Sequence, residues 1–155
     1  MIDFSIADDV KALSFAFQFG YLDSSEIIDI ADSWVLKTTD EIPVEVFDLS
    51  IPSQANTIED TLKQLSVGSD KYLSLMKFVK LFGDRKHVDT LCGSLASVMG
   101  PGDPHPWDKI YALNEELQML AGAIHAETGE TLNFFESEQK KVYVKFRFLI
   151  DSFVI

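Results

Sequence analysis

A single cysteine, Cys92, leaves this 155-residue chain without the means to form an internal disulfide. Proline and glycine are also sparse, at 5 and 8 residues, and no tract is dominated by either beyond a short loop at 100–106. Collagen-like and low-complexity architectures are thereby excluded. The longest apolar runs are a few residues, such as Phe15-Ala16-Phe17, far short of the roughly 18–20 needed for a membrane span. The first residues, MIDFSIADDVK, carry early aspartates and no basic leader, so a secretory signal is not expected. These absences together predict a cytoplasmic location. Positive charge is scarce too: 13 Lys and Arg face 25 Asp and Glu, for a net charge of −12. Nucleic-acid affinity depends on cations that neutralise phosphates, so a nucleic-acid partner is not expected.

What is present is an ordinary globular supply of apolar residues, 46% of the chain, against 25% charged. A single domain spanning 1–155 is the simplest organisation at this length. The charge is unevenly spread. Residues 1–60 hold 13 acidic and two basic residues, a net of −11, whereas residues 61–155 hold 12 acidic and 11 basic, a net of −1. An acidic run is ordinarily a solvated face. Its sharper meaning is a docking surface for a basic protein, because opposite fields accelerate encounter.

Periodicity predicts an all-α fold, a bundle of about six to seven helices. Ser5 can cap a first helix, with Ile6, Val10, Leu13 and Phe17 on its stripe and Gly20 as its stop. Asp23 and Glu26 read as a capping box for a second. At about 100° per residue, Ile27, Ile28, Ala31, Trp34 and Val35 share its inner side, while Glu26, Asp29 and Asp32 stand opposite. Carboxylates that face water are poor candidates for acid–base catalysis. Residues 43–52 read as a short helix after Pro43, with a broken strand alternation as the other reading. Asn56/Glu59, Ser69 and Asp84 mark three further helix starts, and Trp107 opens a long helix after the GPGDPHP loop. The segment VYVKFRFLI is ambiguous: Val142, Val144, Phe146 and Phe148 alternate as in a strand, yet Val142, Phe146, Leu149 and Phe153 fit a helical stripe. We read it as a helix capped at Asn133/Glu136; as a strand it would make the fold α+β with a small sheet.

No motif carries catalysis. There is no phosphate-binding glycine loop and no EF-hand pattern. His87 and Cys92, five apart, would point about 140° away from each other on a helix, a poor dyad. Asp103 and His105 are two potential metal ligands where a site needs three or four. No enzyme activity, metal or cofactor is expected. Lys140, Lys141, Lys145 and Arg147, interleaved with Tyr143, Phe146 and Phe148, read as a snorkelling face over core aromatics that pairs with the acidic half.

The run FGYLDSSEIIDIADSWVLKTTDEIPVEVFDLSI, residues 19–51, resembles the small helical immunity proteins of bacteria, encoded beside contact-dependent growth inhibition and other polymorphic toxins. It shares their texture of an aromatic–glycine turn, an EIIDIAD helix, a DEIP loop and a VFDLS element. The resemblance implies a cytosolic protein that binds one toxin domain, often a nuclease with a basic cleft, and blocks it in a 1:1 complex. The matched acids, Asp23, Glu26, Asp29, Asp32, Asp40, Glu41, Glu45 and Asp48, would then form the contact surface by charge complementarity. Aromatic anchors are sought at Tyr21, Trp34, Phe47 and Trp107, because aromatics dominate interface hot spots. The alternative is a helical adaptor or regulatory module that binds another protein and has no toxin.

Overall fold

Helical periodicity prevails along the chain. The computed structural model describes residues 1–39, 41–49 and 55–153, and within them the fold is all-α, with eight α-helices and no strand. The contacts divide the chain into two compact units, Met1–Arg85 and Lys86–Ile155.

The first unit contains α1 (Ala7–Gln18), α2 (Ser24–Lys37), α3 (Val44–Leu49), α4 (Ala55–Leu65), α5 (Lys71–Phe82) and a 3-10 turn at Gly83–Arg85. Helix α1 is its centre, packing on α5 and α4, while α2 packs on α3 and α3 on α4. Val10, Leu13 and Ala16 of α1 are fully buried, as are Leu75 and Phe78 of α5. Phe78 organises an aromatic cluster with Phe19, Tyr21 and Phe82, at ring separations of 5.4, 5.0 and 6.4 Å. Leu73, on the same helix, is 51% exposed. Gly20 ends the α1 segment with φ of 76°, a left-handed conformation that costs a side-chain-bearing residue strain.

Several helix starts differ from expectation. Ser5 does not cap α1; its hydroxyl donates to Asp3 Oδ1 at 2.6 Å. Ile6 occupies the N-cap position and is 42% exposed, so it leaves the expected core stripe. The acids of the first turn are used instead. Asp8 Oδ1 accepts from the Asp70 amide at 2.7 Å, and buried Asp9 pairs with Lys77, tying α1 to α5 twice. Asp70, not Ser69, caps α5, accepting from the amides of Tyr72 and Leu73. Helix α4 begins at Ala55, one residue before the expected Asn56 cap, whose side chain lies outside those described.

The second unit contains α6 (Val88–Ala96), α7 (Trp107–Ala126) and α8 (Gly129–Phe153). Helix α7 packs against both α6 and α8. His87, not Asp84, is the N-cap of α6. The GPGDPHP loop and the start of α7 at Trp107 agree with the sequence reading. Helix α8 starts four residues before the expected Asn133 cap, and its burial settles the ambiguous segment. Val142, Phe146 and Ile150 are at most 3% exposed, a spacing of four, whereas Val144 and Phe148 are 69% and 76% exposed. Alternation would have buried all four of Val142, Val144, Phe146 and Phe148 on one side. Phe148 is therefore not a core aromatic, and the ion pair that Lys141 makes is with Glu138 on its own helix.

Candidate functional site

The acid-rich stretch divides by use. Asp23 and Glu26 are committed to starting α2. Asp23 Oδ1 accepts from the Glu26 amide at 2.9 Å and from the Ser25 hydroxyl at 2.8 Å, and Glu26 Oε1 accepts from the Asp23 amide at 3.4 Å. These donors, the Glu26 amide first and then the Ser25 hydroxyl, hold the Asp23 carboxyl below the ordinary carboxylate range. Glu26 is further neutralised by Arg85, whose Nη1 lies 2.6 Å from Glu26 Oε2. Two of the expected contact acids are thus bound within the fold.

One turn on, Asp29 is exposed and Asp32 half-exposed, and neither forms an ion pair among the described residues. Leu36 follows at the next position of that helical strip and is 86% exposed. Helix α3, packed on α2, continues the mixture: Val44 and Phe47 are exposed beside half-exposed Glu45 and exposed Asp48. Glu41, in the connecting loop, is exposed, and Asp40 lies outside the described residues. The exposed positions of α2 and α3 therefore include both carboxylates and unburied aliphatic and aromatic side chains. Apolar side chains ringed by charge are the usual anatomy of a protein-docking surface.

The four expected anchors part company. Phe47 is exposed on α3. Trp34 is half-buried, its ring 5.4 Å from that of Phe4, and lines two clefts. One is an apolar groove of about 350 Å³ walled by Ile2, Ile30, Leu81 and Phe82, with Asp29 and Ser33 on its rim. The other is polar, about 280 Å³, and includes Asp3, Lys37, Thr38 and Glu41. Tyr21 and Trp107, by contrast, are 4% and 3% exposed. Tyr21 packs edge-on against Phe78, and Trp107 lies in the core of its own unit. Buried rings present nothing to a partner, so these two are corrected to core residues. Sequence reasoning missed Leu36, Val44 and the Ile30–Leu81–Phe82 groove. Leu36 had a signal, since it falls off the apolar stripe of its helix; Val44 reads with Val46 and Leu49 as part of the short helix's apolar set yet is 70% exposed, and the groove had no signal, because it joins residues about fifty positions apart.

Asp3, Cys92, His87 and Asp103 have local structural partners. Ser5, through its hydroxyl and then its amide, keeps the Asp3 carboxyl low, with the Trp34 indole and Lys77 adding to the effect. Lowered carboxyls are the opposite of what a general acid needs. Burial pushes the Cys92 thiol up to about 12, and its Sγ lies 3.8 Å from the Ile110 carbonyl oxygen. Such a thiol is a small core hydrophobe, not a nucleophile. His87 faces elsewhere: its Nδ1 is 2.6 Å from Asp89 Oδ1 and its ring stands edge-on to Tyr143 at 5.4 Å. Asp103 closes the 100–106 loop by accepting from the Gly100 amide at 2.6 Å. No three His, Cys, Asp or Glu side chains among the described residues gather to hold a metal ion, and no helix of the described residues is long and apolar enough to cross a membrane. Comparison of the chain with protein-family models, curated proteins and solved structures found no match.

Proposed function

We propose that the protein is a non-enzymatic, cytoplasmic inhibitor: an immunity protein that binds the basic domain of a toxin, a nuclease by preference, and covers its active surface with the α2–α3 face. The observation that carries this reading is that Asp29 and Asp32, without ion pairs among the described residues, share a strip of α2 with exposed Leu36, while the adjacent helix α3 exposes Val44 and Phe47. The net −11 of residues 1–60 supports it, because a cleft built for phosphate attracts such a surface. Charge would speed association, and the apolar residues would slow dissociation once water is expelled.

The test is to purify the protein with the basic C-terminal domain encoded by the neighbouring reading frame and to measure stoichiometry and salt dependence. A 1:1 complex whose association rate falls steeply between low and physiological salt is expected. Absence of a complex, or one indifferent to salt, refutes the reading. A second reading, a helical adaptor with more than one docking face, is favoured by Val144 and Phe148, exposed one turn apart on α8. It predicts a partner that releases when Phe148→Ala is introduced and that has no toxicity of its own.

A further inference from the structure

We propose that the groove beside Asp29 is the specificity pocket of this surface, and that it receives one aromatic or long aliphatic side chain from a basic polypeptide segment of the partner. The inference rests on the reading of the first unit as a docking surface for a cationic protein. The groove is apolar in its floor, where Ile2 and Phe82 are 5% and 7% exposed, and in its walls of Ile30, Trp34 and Leu81. An apolar cavity of about 150 Å³ admits a benzene ring, so a groove of about 350 Å³ has room for one ring and its stem. The occupant's flanks are set by the rim. Asp29 stands there without an ion pair among the described residues, with Asp32 beyond it on the same strip of α2. Arg85 lies over the Phe82 ring at 5.5 Å but is already held by Glu26, and Met1, which carries the N-terminal amine, also lines the groove. A segment carrying its own Lys or Arg beside the buried side chain meets unneutralised carboxylate, and an acidic segment is repelled.

Three capped pentapeptides test this: Lys-Lys-Phe-Lys-Lys, Lys-Lys-Ala-Lys-Lys and Glu-Glu-Phe-Glu-Glu. Each is titrated into the full chain while the indole N–H signal of Trp34 is followed by NMR; the chain has two tryptophans, so Trp107 serves as an internal control. The Lys-Phe peptide is expected to shift the Trp34 signal saturably, about tenfold more tightly than the Lys-Ala peptide. The Glu-Phe peptide is expected to leave it unmoved. Ser33→Phe, which fills the groove from its exposed rim, should reduce the Lys-Phe peptide to the level of the Lys-Ala peptide. Equal affinity of the two lysine peptides overturns the pocket and leaves the charged docking face standing. Binding of neither overturns both. Equal binding of the Lys-Phe and Glu-Phe peptides overturns the assignment of a basic occupant. The peptide series on the unmodified chain decides the matter even if Ser33→Phe fails to fold.

Discussion

Arg85 reaches from the 3-10 turn to Glu26 at the start of α2, with Nη1 2.6 Å from Oε2, and the same nitrogen donates to the Tyr21 carbonyl at 3.3 Å. The pair clips the end of α5 to the first turn of α2 and withdraws Glu26 from the row of acids offered to solvent. Both side chains are about two-fifths exposed, so Glu26→Gln should cost less than about 1 kcal/mol of stability. It should also weaken partner binding less than Asp29→Asn does. Chemical denaturation and titration calorimetry of the two variants check both statements.

Cys92 is sealed in the core of the second unit, and its thiol is pushed up to about 12 by burial, with Asp89 adding to the shift. The thiolate is the reactive form. At pH 8 the folded protein should therefore resist a thiol reagent such as dithionitrobenzoate, and one equivalent should react promptly in denaturant. Fast labelling of the native chain would show that the α6–α7 packing opens readily.

The low Asp3 carboxyl gives a pH dependence of known sign. A group whose carboxyl is lowered in the folded state adds stability above the ordinary carboxylate range and loses it as pH falls through the folded value. The largest cause is the Ser5 hydroxyl, followed by the Ser5 amide. Ser5→Ala should consequently lower the Tm at pH 6, and the gap from wild type should close as the pH falls below the ordinary carboxylate range. A gap that stays constant with pH would mean that the hydroxyl acts on folding without acting on the charge.

Phe78 and Phe146 are fully buried, one in each unit. Replacing either with alanine should cost about 3–5 kcal/mol, the transfer energy of the ring plus the cavity it leaves. Phe148, two residues from Phe146 and 76% exposed, should change stability by no more than about 0.5 kcal/mol on the same substitution. Guanidinium unfolding of the three variants separates core from surface on α8.

Features set by neighbours in sequence were the readable ones. The Asp23/Glu26 capping box, the Gly20 stop and the start of α7 at Trp107 are local rules, and the structure obeys them. Local rules also compete. Ser5 offered a cap, but Asp3, two residues back, captured its hydroxyl; Ser69 was displaced by Asp70, whose carboxylate reaches two amides at once. Burial decided by distant partners stayed hidden. Tyr21 looked like an exposed anchor because its core neighbour, Phe78, lies far along the chain. Pairing hid likewise: nothing near Glu26 announces Arg85. The acidic bias was legible from composition, but its division into capping, paired and solvent-facing carboxylates required the packing of α2 against its surroundings.

The most direct measurement is survival of bacteria that produce the basic toxin domain encoded by the neighbouring reading frame, together with either the wild-type chain or the Asp29→Lys/Asp32→Lys variant. Both positions are outside the core, so the variant should fold with an unchanged circular dichroism spectrum. The account predicts that the wild type protects and the folded variant does not. Full protection by the reversed-charge variant would contradict it.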